Sequence, residues 1–367
     1  MKHIELFGYY GQKNMGDDAF GLIAIWGIKK YWGATVTLLS SRGPESNREK
    51  IYFSFPKQQR FRGEFLFYVL ARSLKSYRVV LAGGSILHSR QKILSINGII
   101  FLLSKLGLCK IGAIGVSLGP FKTPKDYEYV AKQLKRFKFL VLRDKNSYNI
   151  ALSMKLPYKP VLAADLAFLL PEIYQKKKDH CYNKTNIIGV SLCHYERYVQ
   201  GDIENEKRRE TLCFEVLRDL VDVQELKFCF FVLNGNDFIG DREIIESTIK
   251  TLNLKKERYE VVDYSPNTLE MLSKIEECSV VFTTRLHGAI FSAATNIPSL
   301  LVEYHVKCSD YLDDIAIDDS WRIGDMSMPP RQIKEKIIQL LDYEGVFYKN
   351  KDVIMKRAKE NFLAVTI

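Results

Sequence analysis

No stretch of this 367-residue chain reaches the roughly 20 uninterrupted apolar residues that a membrane-spanning helix requires. The nearest approach, Ile93 to Leu108, is broken by Asn97 and Lys105 and reads as a buried helix. The cysteines at 109, 181, 193, 213, 229, 278 and 308 include no Cys-x-x-Cys pair and are odd in number. That excludes a zinc knuckle and a disulfide framework and leaves reduced core residues. The dinucleotide fingerprint Gly-x-Gly-x-x-Gly is absent, and so is the Gly-Lys-Ser/Thr of a phosphate loop, so NAD and ATP lose their strongest argument. The start, Met1-Lys2-His3-Ile4-Glu5, lacks the apolar core and cleavage site of a secretory signal, and the expected location is the cytoplasm. Metal-ligand spacing, internal repeats and low-complexity tracts are also missing, so no metal is expected. Acidic residues are scarce in one half only. Residues 1–170 hold 27 Lys+Arg against 10 Asp+Glu, whereas the remainder holds 27 against 33. Such a basic half suits an anionic partner: a phosphate substrate, an anionic lipid surface or nucleic acid. A solvated basic face is the plain alternative.

What the chain does have is globular usage, with 47% apolar, 12% aromatic and 26% charged residues. Its length exceeds one ordinary core and suits two. Strand-like runs alternate with helix-length segments from the first residues: Ile4 to Phe7, Thr35 to Leu39, Val79 to Leu81, Ile111 to Val116 and Phe139 to Leu142. Helices are expected between them at Asp18 to Tyr31, Phe61 to Ser76, Ile93 to Leu106, Lys125 to Lys135 and Ser147 to Met154. The segment 171–186, PEIYQKKKDHCYNKTN, has no apolar period and reads as a linker. Alternation then resumes with strands from Ile187, Phe228, Tyr259, Val280 and Ser299. The expected fold is α/β, two doubly wound Rossmann-like domains facing across a cleft. The division is 1–170, linker 171–186, 187–330, and helices at 331–367 that pack back on the first domain.

In doubly wound sheets ligands bind beyond the carboxyl ends of the strands, so the residues there carry the chemistry. The first strand runs into Gly8-Tyr9-Tyr10-Gly11-Gln12-Lys13-Asn14-Met15-Gly16-Asp17-Asp18-Ala19, a glycine-rich turn built to hold something polar. Asp17 either caps a helix beginning at Asp18 or contacts substrate, and Asp18 is the freer to act. Gly83 and Gly84 follow another strand and bring bare backbone to the sheet top, where a phosphate or sugar can approach. His88, just after them, is either structural or functional. Arg143-Asp144 ends a third strand as an ion pair or an anion ligand. The richest segment, Thr283-Thr284-Arg285-Leu286-His287-Gly288, delivers a cation and an imidazole to a helix start. Either His287 acts there or it merely caps the turn. Beyond the next strand lies Glu303-Tyr304-His305-Val306-Lys307.

Taken together, these residues resemble the polysaccharide pyruvyl transferase family. The resemblance rests on the opening loop at 8–19, Gly83-Gly84, Arg143-Asp144 with Ser147, Asp165-Leu166-Ala167-Phe168-Leu169-Leu170, Arg285-Leu286-His287-Gly288 with Pro298, and Tyr304 with Lys307. Ala82 and Ala164 depart from it, standing where the family often has glycine and proline. It implies a fold similar to the GT-B glycosyltransferases and the transfer of pyruvate from phosphoenolpyruvate onto a sugar as a ketal, with release of phosphate. No cofactor is implied, phosphoenolpyruvate being a co-substrate. By the same resemblance Arg143, Arg285, Leu286 and His287 would serve the donor, with Lys307 beside them, and because Arg143 and Arg285 end strands in different domains the donor is expected between the domains. His287 would be the acid-base group, imidazole having an ordinary pKa near 6.5. Asp18 joins it as a weaker catalytic candidate, and Asn14, Gly16, Asp17, Gly83, Gly84 and His88 are placed on the acceptor side.

Two other classes share the fold: a nucleotide-sugar glycosyltransferase, and a non-catalytic member of a polysaccharide assembly complex. Retention of Arg143, Arg285 and His287 argues against the second. The acceptor is expected to be a sugar of a cell-surface polysaccharide or its lipid-linked precursor. With the cations and aromatics of Lys57 to Arg72, that predicts peripheral contact with an anionic membrane at its inner face. The bland counterpart is an ordinary crossover helix. Nucleic acid is not an expected partner, since no recognised binding module accompanies the charge.

Overall fold

The apolar runs of the sequence become the strands of two separate parallel sheets in the computed structural model, which describes residues 1–174, 186–324, 326 and 328–367. The first sheet contains β1 His3–Phe7, β2 Thr35–Leu38, β3 Arg78–Ala82, β4 Ile111–Val116, β5 Leu140–Leu142 and β6 Val161–Leu162, in the order β2-β1-β3-β4-β5-β6. The second contains β7 Ile187–Ser191, β8 Lys227–Phe231, β9 Tyr259–Val262, β10 Val280–Thr283 and β11 Ser299–Leu301, in the order β11-β10-β7-β8-β9. Every named strand pair is parallel. Strands β3 and β4 are buried along their whole length, as expected where helices cover both faces of a sheet.

The helices of the first half are α1 Met15–Trp32, α2 Glu64–Lys75, α3 Ile96–Lys105, α4 Pro124–Leu134, α5 Lys145–Ser153 and the single turn α6 Leu170–Ile173. Those of the second half are α7 Glu196–Val199, α8 Ile203–Val221, α9 Arg242–Thr251, α10 Thr268–Glu276, α11 Leu286–Thr295, α12 Val306–Asp314, α13 Pro330–Leu341 and α14 Lys351–Leu363. The chain forms two units. Unit 1 is Met1–Gln12, Gly16–Ile173 and Val353–Ile367, and unit 2 is Lys13–Met15 and Tyr174–Asp352. Among the described residues no helix is long and apolar enough to cross a membrane. The six cysteines described are all buried and unpaired with one another.

Several details depart from the sequence reading. Helix α1 begins at Met15, so Asp17 and Asp18 both lie inside its first turn, where free amide groups favour negative charge. Strand β6 is only two residues long and too short to show a period, yet it closes the edge of the first sheet beside β5. Of the linker segment 171–186, residues 175–185 lie outside the described residues. The helical stretch from 331 is two helices. Helix α13 buries Ile333, Ile337 and Leu340 and packs on α8 and β10 within unit 2. Helix α14 belongs to unit 1 from Val353 onward. There the Trp32 Nε1 donates to the carbonyl of Phe362 at 2.9 Å, and the fully buried Asn361 donates from Nδ2 to the carbonyl of Ala164 at 2.9 Å. The end of the chain thereby braces the turn that follows β6.

Each sheet has one point where the strand order reverses, between β1 and β3 in unit 1 and between β7 and β10 in unit 2. Successive crossovers leave such a point in opposite directions, so the loops beyond its carboxyl edge diverge and open a crevice. The opening loop and Gly83-Gly84 stand over the first reversal. Arg285 and His287 stand over the second.

Candidate active site

In unit 1 the loop after β1 is held by two side chains. The buried Tyr10 hydroxyl donates to the carbonyl of Ala82 at 2.8 Å, and the fully buried Asp18 accepts the amide of Gly11 at 2.9 Å. Burial, and then the charges of Asp17 and Asp18, push the Tyr10 phenol well above its ordinary value, so it remains a donor. Gly11 sits at φ 72°, and a Cβ there would lie 2.6 Å from the carbonyl oxygen of Arg42. Asp18 is thus the loop's internal anchor. Asp17 is only half-buried, with Oδ1 3.4 Å from where a Cβ on Gly84 would stand.

Gly83 and Gly84 turn the chain at φ 71° and 73°, the left-handed region that favours glycine. A Cβ on Gly83 would lie 2.2 Å from the Phe20 ring, which is itself buried. Replacing Gly83 by alanine is therefore expected to destabilise the protein by about 1–3 kcal/mol through strain and overpacking. An unchanged urea midpoint would refute this. His88 is half-buried and donates from Nδ1 to the carbonyl of Ser85 at 2.6 Å.

At the end of β5, Arg143 and Asp144 do not pair with each other. Arg143 donates from Nε to Ser117 Oγ at 2.7 Å and from Nη1 to Asp165 Oδ2 at 2.8 Å, and its Cζ lies 5.4 Å from the centre of the Phe20 ring. Asp144 caps α5 by accepting the Ser147 amide at 2.7 Å, and it also takes the hydroxyls of Ser117 at 2.7 Å and Ser147 at 2.9 Å. Ser117 and Asp165 therefore fix the guanidinium from two further strand ends. Asp165 stands just after the turn that Asn361 braces.

In unit 2 the corner between β10 and α11 is shaped by Thr283. Its Oγ1 accepts the Arg285 amide at 2.9 Å and donates back to the Arg285 carbonyl at 3.0 Å. A Cβ on Gly288 would lie 2.5 Å from that same oxygen, so glycine lets α11 start directly against β10. Arg285 turns its Nε onto both oxygens of Asp241, each at 2.7 Å, and Nη2 also binds Asp241. Asp241 is fully buried and accepts the Asn234 amide at 2.8 Å as well. Burial pushes its carboxyl up, with Arg285 opposing. Burial likewise works against the Arg285 charge, but the Asp241 carboxylate outweighs it and holds the guanidinium above its ordinary value.

Leu286 and His287 follow in the first turn of α11, both half-buried, with the His287 ring centre 5.8 Å from that of Phe291. Asn14 bridges to Asn234, and Gly16 is buried at the start of α1. Lys307 lies in the first turn of α12, its amide donating to His305 Nδ1 at 3.0 Å. Burial and then the Lys307 charge lower the His305 pKa, which keeps that cap an acceptor.

The sequence reading did not single out Asp241, Ser117 or Tyr10. Asp241 had a visible signal, an acidic residue just before a helix, but nothing local marks it as the partner of Arg285. A second group also went unnoticed. His194 Nδ1 meets Glu210 at 2.5 Å, while Arg197 reaches Glu206 at 2.5 Å and Glu210 at 3.2 Å. His194, Arg197 and Glu210 border a cavity of about 410 Å³ whose lining also includes Arg209, Phe214 and Thr284. The carboxylates of Glu206 and Glu210 are already taken up by cations.

The family model for polysaccharide pyruvyl transferases matches residues 14–306, well over half of the chain and including every strand end described above except that of β1. The chain belongs to the polysaccharide pyruvyl transferase family. No curated protein sequence matches it. Among solved structures, the UDP-GlcNAc 2-epimerase from Methanocaldococcus jannaschii is similar, with TM-score 0.62 and 12% identity over 99% of both chains. S. aureus MnaA, solved with UDP, gives TM-score 0.61 at 12% identity over 99% of this chain and 92% of that one. The epimerase from Neisseria meningitidis gives 0.58 at 12% over the whole of both chains. At such identities the likeness shows the fold, which for this pyruvyl transferase family member is a GT-B-like pair of parallel α/β sheets.

Proposed function

We propose that this chain transfers pyruvate from phosphoenolpyruvate to two hydroxyls of a sugar, forming a cyclic ketal and releasing phosphate. The observation that carries the reading is the α11 corner, where a cation and an imidazole share one helix start and a buried carboxylate fixes the cation. In the reaction a proton is delivered to the donor's methylene carbon and one hydroxyl adds to C2. Phosphate departs with its bridging oxygen, and the second hydroxyl closes the ring. The two hydroxyl protons balance the one taken by the methylene and the one taken by phosphate.

His287 donates the first proton and recovers one from the acceptor. Arg143 and Arg285 neutralise the donor's carboxylate and phosphate, and their anchored carboxylates orient them before the donor arrives. Leu286 and Lys307 complete the donor's surroundings. On the acceptor side Asp17, Gly83, Gly84, Asn14, Gly16 and His88 are the proposed contacts. The burial of Asp18 and its bond to Gly11 favour a positioning role for that residue, leaving Asp17 as the carboxylate that meets hydroxyls.

The test incubates the full chain with phosphoenolpyruvate and a panel of glycosides, nucleotide sugars and lipid-linked sugars. The expected result is a product heavier by one pyruvate less one water, with phosphate released in equal amount. Transfer of a sugar from a nucleotide donor, with no use of phosphoenolpyruvate, would overturn the proposal.

A further inference from the structure

Unit 1 carries an apolar stripe that its own fold leaves uncovered. Helix α2 buries Val69 and Ser73 on one side and Glu64 at its start. At 100° per residue, Phe67, Leu70, Ala71 and Leu74 fall together on a different side from Val69 and Ser73, spaced i, i+3, i+4 and i+7. Phe67 is 65% exposed, Leu70 41% and Leu74 45%. A crossover helix needs one apolar face to cover its sheet, and α2 has two.

Helix α3 extends the surface. The chain crosses from β2 to β3 and from β3 to β4 in the same direction along the sheet, so right-handed connections put α2 and α3 side by side on one face, where they pack together. Leu102 of α3 is exposed, and so are Ile93 and Leu94 before it and Leu106 and Leu108 after it.

The charge around this surface has one sign. Residues 57–110 contain ten Lys+Arg and a single acid, Glu64. Nine of the ten cations are exposed, Arg78 being the buried one. Glu64 is 3% exposed and already paired with Arg60 at 3.0 Å, so it presents no negative charge outward.

An apolar stripe whose own segment, 57–110, exposes cations and no acid, with Arg90 alone paired outward to Asp126 at 3.5 Å, matches a surface that is apolar within and anionic at its boundary. We propose that this face of unit 1 docks on an anionic lipid membrane. Phe67, Leu70 and Leu74 enter the boundary between headgroups and acyl chains while the lysines and arginines meet lipid phosphates. A second copy of the chain fits less well, because pairing through this face sets the same cations against one another.

Orientation follows from topology. Both helices run opposite to the parallel strands, so the basic segments that precede them, 57–63 and 89–95, lie at the carboxyl edge of the sheet. That edge also carries Gly83, Gly84 and Asp17. Docking does not depend on the pyruvyl transfer reading. The consequence that a lipid-linked sugar is met there does rest on it.

The test sediments the full chain with vesicles of phosphatidylcholine, alone or mixed with phosphatidylglycerol. Partition onto the mixed vesicles is expected to be at least about tenfold stronger than onto neutral ones. It should weaken as salt rises past physiological strength. The double variant Phe67→Glu/Leu74→Glu should bind mixed vesicles at least about tenfold less well. Its thermal midpoint and its phosphate release with a soluble acceptor should match the parent. Equal binding by parent and variant, equal binding to both vesicle types, or none at low salt would overturn the proposal. So would a parent that self-associates where the variant is monomeric. If phosphate release is absent from both proteins while vesicle binding differs as expected, the reaction assigned above fails and the docking stands.

Discussion

His287→Ala is expected to lose turnover by a factor of at least about a hundred, the low end for removing general acid-base help. The residue sits in the first turn of α11 and is only half-buried, so the far-UV spectrum should stay the parent's and the unfolding midpoint should move little. Donor affinity, read by calorimetry, should change much less than turnover, because the carboxylate and phosphate are assigned to guanidinium groups. A pH profile separates the roles further. The parent's rate should show a limb that reports the imidazole, and the variant should lack it. Phosphate release at near the parent rate would mean that His287 only shapes the turn.

Arg285→Ala is expected to have the largest effect on stability, about 3–5 kcal/mol near neutral pH, because it strands the carboxylate of the fully buried Asp241. The sign with pH is definite. Burial raises the Asp241 carboxyl above its ordinary 3.8, and removing the opposing arginine raises it further. Between the unfolded and folded values the folded chain then holds a proton that the unfolded chain has released. Stability of the variant must fall as pH rises through that window and recover on acidification. Urea unfolding of parent and variant at a series of pH values reads the difference directly. Adding Asp241→Asn to the variant should restore much of the loss, since the amide oxygen can still accept from Asn234 and no charge is stranded. Phosphoenolpyruvate binding should weaken in the single and the double variant alike, by about 2–5 kcal/mol if the donor's anions are desolvated against the guanidinium. Full donor affinity in the double variant would remove Arg285 from the donor site.

The site was legible where its signal is local. Thr283 to Gly288 could be read because an apolar strand, a cation, an imidazole and a glycine-led helix follow one another without a break. Gly83-Gly84 was legible because positive φ selects glycine. Asp17 and Asp18 were legible as a pair but not in rank. Which of them is buried depends on the helix beginning at Met15, and on the Gly11 amide that only the folded loop points at Asp18. The partners of the arginines had no such signal. Asp241 lies 44 residues before Arg285, and Asp165 lies 22 after Arg143.

The sequence by itself determined the alternation of strands and helices, the parallel doubly wound class and the strand ends that bear Arg143, Arg285 and His287. These follow from hydrophobic period and turn chemistry, which act over a few residues. Only the tertiary structure decided the order of strands in each sheet, and with it which distant loops share a carboxyl edge. That order brings Ser117 and Asp165 to Arg143, and Asp241 to Arg285. It also lays α2 beside α3 and leaves the stripe of Phe67, Leu70 and Leu74 facing outward. Strand order is set by packing between elements far apart in the chain, and no local window of sequence contains it.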